Sequence, residues 1–98
     1  MWIFQSAHDE GGEVTFRLRP GAIKTVGRAT RADFIVDAAL VSRVHCRLTA
    51  TDDRVEVVDL SSTNGTFVND RRVKTAQLGA GDRLRVGRME LKIDRMNS

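Results

Sequence analysis

The chain has one cysteine, one proline and no tyrosine among its 98 residues. A single cysteine, Cys46, excludes an internal disulfide and a metal site made of several thiolates, and it favours a reducing compartment. No apolar run approaches the roughly 20 residues of a transmembrane helix, and the first residues lack the basic and then apolar pattern of a secretion signal. We therefore expect a cytoplasmic protein that does not enter a membrane.

Aromatic residues are also few, with one tryptophan and four phenylalanines. The 16 Lys and Arg residues exceed the 13 Asp and Glu residues and give a net charge of +3, which favours acidic or phosphorylated partners. The cations are scattered among acids and do not alternate with aromatic side chains, as they would in a surface that stacks bases. Nucleic-acid binding is therefore the weaker alternative.

No set of residues suited to catalysis or metal binding is visible. His8 and His45 are the two imidazoles, and the sequence contains no paired carboxylates, nucleophile elbow or Gly-rich nucleotide loop. We predict no enzyme activity, no metal and no cofactor. Strand alternation places Cys46 with Val44 and Leu48 on an apolar side, so the thiol is expected in the core and His45 on the opposite side.

Apolar and polar residues alternate with a period of two in short runs, and no window carries the apolar stripe of a helix. Turn signals at residues 10–12, 64–65 and 69–70 separate some of these runs. The pattern predicts an all-β domain over residues 1–98, an antiparallel sandwich of about eleven strands. The predicted strands are 2–5, 14–18, 23–26, 34–36, 44–50, 54–60, 66–69, 71–74, 76–78, 83–86 and 89–94.

One contact between distant segments follows from this strand pattern. Strands 44–50 and 54–60 are joined by a short turn and should pair antiparallel. The start of the first strand then lies beside the end of the second, which brings Ser42 and Arg43 next to the loop 61–66. The same reasoning does not place Arg28.

Three turn-like segments carry hydrogen-bond donors that suit a phosphoryl group. They are residues 26–28 (Val-Gly-Arg), 42–45 (Ser-Arg-Val-His) and 59–66 (Asp-Leu-Ser-Ser-Thr-Asn-Gly-Thr). A phosphoryl group offers three acceptor oxygens, and an arginine with neutral hydroxyl and backbone N–H donors meets them best. The tripeptide Val-Gly-Arg recurs at 86–88, and we assign this second copy no role.

The ordered set Gly-Arg, Ser-x-x-His and Asp-x-x-Ser-x-Asn-Gly-Thr, followed by a nearby Asn, resembles the forkhead-associated (FHA) domain family. The segment from Leu78 to Gly87 also fits, so the match extends over residues 14–94. The resemblance implies an eleven-stranded β-sandwich with its binding loops at one end. It also implies recognition of phosphothreonine in a partner protein, either a kinase or a kinase substrate.

The resemblance further implies roles for single residues. Arg28 would hold the phosphate oxygens, with donors from Ser42, Thr63 and the backbone of Arg43, and Asn64 would bind the peptide backbone. The supporting residues would be Gly27 and Gly65 in tight turns, His45 as a buttress between loops, and Asn69 behind the loop.

Two alternatives remain open from the sequence. A phosphate-independent scaffold would keep the sandwich and bind partners through a sheet face, although the intact Arg28, Ser42, Thr63 and Asn64 argue against it. Nucleic-acid binding would show a steep salt dependence without affinity for phosphopeptides. The basic run 71–74 is expected to be a solvated hairpin that could lie near the binding loops and favour acidic peptides.

Overall fold

The computed structural model describes residues 1–6 and 13–96, so His8 and the predicted turn at 10–12 lie outside the described residues. Within these ranges the chain forms eleven strands and no helix, and therefore no membrane-spanning helix. Every predicted strand is present with its boundaries within two residues. The strands are β1 (Trp2–Ser6), β2 (Thr15–Leu18), β3 (Ile23–Gly27), β4 (Phe34–Ile35), β5 (Cys46–Ala50), β6 (Val55–Asp59), β7 (Thr66–Val68), β8 (Arg71–Val73), β9 (Thr75–Leu78), β10 (Arg83–Val86) and β11 (Met89–Arg95).

The strands form two sheets. One has the order β2-β1-β11-β10-β7-β8 and the other the order β4-β3-β5-β6-β9. All pairs are antiparallel except β3 and β4, which run parallel, so the predicted antiparallel β-sandwich of about eleven strands is confirmed with one parallel pair at this edge. The reason is local: the Thr25 backbone N–H donates to Asp33 Oδ2 at 2.9 Å and the Asp33 N–H to Thr25 Oγ1 at 3.1 Å. These hydrogen bonds hold Asp33 beside Thr25, so β4 begins next to the middle of β3 and continues in the same direction.

The inner faces of the two sheets share one apolar core. The six-stranded sheet contributes Phe4 and Leu91, and the five-stranded sheet contributes Val26 and Leu48, all at 0% exposure. At one open side of the sandwich, the rings of Phe16 in β2 and Phe34 in β4 stack with centroids 4.5 Å apart. This aromatic pair joins the edge strands of the two sheets.

Strand β5 begins at Cys46, two residues later than predicted, because residues 43 and 44 form a bend across the end of the sandwich. The alternation predicted through this bend is therefore wrong. Val44 is 43% exposed, whereas His45 is completely buried. The expectation for Cys46 is confirmed: it lies in the core, where burial and, to a smaller extent, the charge of Asp59 raise the pKa of its thiol to about 12.

Candidate functional site

One end of the sandwich, called here the loop end, gathers the three segments that the sequence analysis selected. Strands β3, β6 and β10 finish there, and β5 and β7 begin there. The backbone N–H of Thr63 donates to Ser42 Oγ at 3.0 Å, which confirms the predicted neighbourhood of Ser42 and the loop 61–66. The backbone N–H of Arg28 donates to the Ser42 carbonyl at 2.9 Å, so Arg28 joins them.

Arg28 is held by a side-chain contact that also orients it. Its Nε–H donates to the backbone carbonyl of Val41 at 3.2 Å, and its side chain is exposed at the loop end. The two terminal nitrogens of the guanidinium form no hydrogen bond to the described residues. Arg28 can therefore offer both of them to an anion without losing the contact that fixes its position.

Ser42 and Arg43 retain donors beside Arg28. The Ser42 hydroxyl oxygen accepts from Thr63, so its own proton remains available to donate. The Arg43 backbone N–H has no acceptor among the described residues, while its carbonyl accepts from Ala29 at 3.0 Å. A hydroxyl and a backbone N–H thus stand next to the guanidinium.

Asn64 connects two loops as well as lining the site. Its Nδ2 donates to the backbone carbonyl of Leu40 at 3.2 Å. Leu40 has a φ of 68°, an uncommon conformation for a residue with a branched side chain, and it is 52% exposed. The Asn64 amide keeps its oxygen and one N–H for a ligand.

His45 joins the two main loops from behind. The backbone N–H of Ser42 donates to its Nδ1 at 3.0 Å, so the imidazole proton lies on Nε2, which donates to the Gly65 carbonyl at 2.8 Å. His45 is completely buried and does not line the site. This position agrees with the role of a buttress.

The sequence analysis gave no role to Asp59, which organises the loop 60–65. Its carboxylate accepts from the hydroxyls of Ser62 and Thr66, the latter at 2.7 Å, and from the Ser62 backbone N–H at 3.2 Å. Partial burial raises the pKa of Asp59. The three hydrogen bonds and the electrostatic interaction with His45 lower it by more, so the pKa lies below its ordinary value. The signal in the sequence is the Asp-x-x-Ser spacing, which is typical of a side chain that caps its own turn.

The two predicted glycines are required for different reasons. Gly65 has a φ of 93°, as predicted, and a Cβ there would lie 2.6 Å from Nε of Arg72. Gly27 has no positive φ; a Cβ there would lie 2.9 Å from Cα of Val44 and closer still to the Arg43 carbonyl. Gly27 therefore permits a close backbone approach and not the tight turn that the resemblance implied.

The second Val-Gly-Arg, at residues 86–88, also acts at the loop end. A Cβ on Gly87 would lie 2.6 Å from the Ala39 carbonyl oxygen, and the Arg88 backbone N–H donates to that same oxygen at 3.0 Å. The two copies come from different sheets and approach the segment 39–44 from two sides. The sequence analysis missed this role because the two copies share only three residues.

Asn69 does not support the loops, contrary to the expectation. It lies in the turn after β7, at the opposite end of that strand from Thr66. Its side chain donates to Asp82 at 3.0 Å and accepts from the Arg83 backbone N–H at 2.9 Å. Asn69 has a φ of 49° and stabilises a hairpin turn far from the site.

Together these loops enclose a groove of about 570 Å³, lined by Arg28, residues 38–44, Ser61, Thr63 and Asn64. All five predicted ligand-binding residues therefore line one surface. Val44 lines it too, with an exposed apolar side chain. Residues 1–6 and 13–96 contain no cluster of three His, Cys, Asp or Glu side chains that could hold a metal.

Comparison with known proteins agrees with this geometry. A model of the FHA domain family matches residues 24–87, which is more than half of the chain. The chain belongs to the FHA domain family. This FHA domain is 41% identical over 80 residues to the ABC transporter ATP-binding/permease protein Rv1747 of Mycobacterium tuberculosis, covering 82% of this chain and 9% of that protein.

It is 37% identical over 83 residues to the FHA domain-containing protein FhaA of M. tuberculosis, covering 85% of this chain and 16% of FhaA. Other relatives, at 37% identity, are the M. tuberculosis glycogen accumulation regulator GarA and an oxoglutarate dehydrogenase inhibitor of Corynebacterium diphtheriae, of which 43% and 47% are covered. The chain thus spans less than half the length of these relatives. Two of them are named as a regulator and an inhibitor.

Two solved structures are similar over nearly all of the chain. One, from a structural and functional analysis of phosphothreonine-dependent FHA domain interactions, has a TM-score of 0.86 and 33% identity, and covers 99% of this chain and 98% of the other. The second is the FhaA FHA domain complexed with the intracellular domain of Rv3910, with a TM-score of 0.83, 34% identity, and coverage of 95% and 99%.

Proposed function

We propose that this FHA domain binds phosphothreonine in a partner protein through the groove at the loop end. The observation that carries the proposal is the convergence of Arg28, Ser42, Arg43, Thr63 and Asn64, from three separate segments, on that groove. The similar solved domains, described in terms of phosphothreonine-dependent interactions and a protein complex, support it.

The phosphate would lie between Arg28 and the bend at residues 42–44. The terminal nitrogens of Arg28 would bind two oxygens of the dianion, while the Ser42 hydroxyl and the Arg43 backbone N–H would donate to the remaining acceptor sites. Hydrogen bonds to a charged group contribute about 1.5–3 kcal/mol each. Because Arg28 is already oriented by Val41, little of that free energy is lost in ordering the side chain.

The remaining groove residues would hold the peptide around the phosphate. Thr63 carries a hydroxyl on the loop opposite Ser42, and the Asn64 amide retains an acceptor and a donor that suit a peptide backbone. Such a site recognises its ligand and needs no catalytic group or cofactor. The proposed role is therefore regulatory binding and not catalysis.

The partner would be a kinase or a kinase substrate, since a phosphorylated threonine requires a kinase to form it. We place the interaction in the cytoplasm, by analogy with the FhaA domain bound to an intracellular domain. We also propose that residues 1–98 fold as one unit, since both sheets share one apolar core.

Isothermal titration calorimetry with a phosphothreonine peptide tests this function. Wild type should bind the phosphorylated peptide and not its dephosphorylated form, and Arg28→Ala should remove measurable binding without a change in melting temperature. Arg31→Ala is the matched control, because Arg31 is exposed in the same loop and does not line the groove. Equal losses in both variants would indicate general electrostatic attraction. An unchanged affinity in Arg28→Ala would exclude the proposed site and favour a phosphate-independent scaffold.

A further inference from the structure

Strand β8 carries two adjacent arginines that point to opposite faces of the six-stranded sheet. Arg72 lies opposite Phe67, and Arg71 lies opposite Val68. Phe67 is on the outer face, where the guanidinium of Arg85 lies 4.0 Å from its ring centroid. Arg72 is therefore an outer-face residue, while Arg71 lines an opening beside Val68 and Val73.

The side chain of Arg72 extends from this row toward the loop end and crosses Gly65. A Cβ on Gly65 would lie 2.6 Å from Nε and 3.0 Å from Cζ of Arg72. Gly65 directly follows Asn64, which lines the groove. The guanidinium therefore lies against the loop 61–65, next to Asn64 and outside the residues that line the groove; this position is called here the rim.

Arg72 is exposed, and no carboxylate of residues 1–6 or 13–96 forms an ion pair with it. Its charge adds to those of Arg28 and Arg43 at the loop end. The carboxylate of Asp59 at this end accepts hydrogen bonds from Ser62 and Thr66, and the exposed Asp37 next to the groove offsets part of the positive charge. The positive charge that remains on the three arginines favours ligands with more negative charge than the phosphate alone supplies.

We propose that Arg72 forms a second subsite that binds an Asp or Glu side chain of the partner peptide, near the phosphothreonine. The proposal rests on the proposed function, because the phosphate must first place the peptide in the groove. An extended peptide advances about 3.3 Å per residue, so a glutamate a few residues from the phosphothreonine reaches the rim. An exposed ion pair of this kind contributes little to affinity, and its main effect is on the choice of peptide.

A set of phosphothreonine nonapeptides with one glutamate moved through the eight other positions tests the subsite, with the glutamine peptides as the neutral reference. Wild type should bind the glutamate peptide about two- to five-fold more tightly than its glutamine counterpart at one or two neighbouring positions. In Arg72→Gln that preference should disappear, while the affinity for the neutral peptides stays unchanged. Arg71→Gln, with the same change in charge on the other face of β8, should keep the preference.

A reversal of charge makes the test specific to this side chain. Arg72→Glu should prefer a lysine over a glutamate at the same peptide position. If Arg72→Gln keeps the wild-type preference, or if Arg71→Gln loses it equally, the subsite does not exist. In either case the neutral phosphopeptides would still bind and the proposed function would stand. If none of the peptides binds to wild type, the proposed function and the subsite both fail.

Discussion

The Nε2–H of His45 donates to the carbonyl oxygen of Gly65 at 2.8 Å and thereby connects two loops that are 20 residues apart in the sequence. The opposite ring nitrogen accepts from the Ser42 backbone N–H. One buried imidazole thus sets the separation between the segment that carries Ser42 and the segment that carries Asn64. The width of the groove depends on this bridge.

Replacement of His45 should therefore affect stability before it affects binding. His45→Ala would leave the Ser42 N–H and the Gly65 carbonyl without their partner and would open a cavity, at a cost of about 2–5 kcal/mol in the free energy of unfolding. Urea denaturation measures this cost, and calorimetry at a temperature where the variant is folded measures affinity. A variant with wild-type stability and no binding would instead indicate direct contact between His45 and the ligand.

The carboxylate of Asp59 should make the loop 60–65 sensitive to acid. Its pKa is lowered in the folded protein, so Asp59 contributes stability above its unfolded pKa of about 3.9, and this contribution is lost as the pH falls through the folded value. Asp59→Asn should destabilise the domain at pH 7, and the gap to wild type should narrow below about pH 4. Denaturation at a series of pH values measures the gap. Asp53→Asn, in an exposed turn, is the control, and a gap for Asp59→Asn that stays constant with pH would contradict the prediction.

Gly87 should be necessary for affinity, although it does not line the groove. In Gly87→Ala the new Cβ would displace Leu40 and Ala39, and with them the carbonyl that accepts from Asn64. Gly81→Ala is the matched control, because Gly81 has a φ of 91° and no atom within 4 Å of the added Cβ. Both variants should lose about 1 kcal/mol or more of stability, since alanine disfavours a positive φ. Only Gly87→Ala should bind phosphopeptide more weakly, and equal affinities would contradict this role.

The groove should prefer phosphothreonine over phosphoserine in otherwise identical peptides. Arg28, Ser42 and Thr63 cannot distinguish the two ligands, which differ only in a methyl group. The exposed apolar side chain of Val44 lines the groove and offers that methyl a contact. A buried methyl is worth about 1–3 kcal/mol, or roughly ten- to two-hundred-fold in affinity. Calorimetry with the matched peptides measures the preference, and Val44→Ala should reduce it; equal dissociation constants in wild type would show that no methyl contact forms.

Local patterns determined most of the fold. Period-two alternation and short turns predicted all eleven strands, because both depend on neighbouring residues. The pairing of β5 with β6 followed from the short connection between them, and it placed Ser42 beside the loop that carries Thr63. The ordered motif indicated the family, and the structure brings all five predicted ligand-binding residues to one groove.

Only the tertiary structure decided how the segments meet. Arg28 lies in the site because β3 pairs with β5, and Val44 and His45 exchange their expected environments because the chain bends before β5 begins. Asn69 lies at the far end of β7, although it is only five residues from Asn64, since three residues of extended strand separate the two turns. Gly87 contacts Ala39 and Leu40 from the turn between β10 and β11, which is distant in sequence from that segment. Such contacts depend on the packing of two sheets, and no local pattern in one strand contains them.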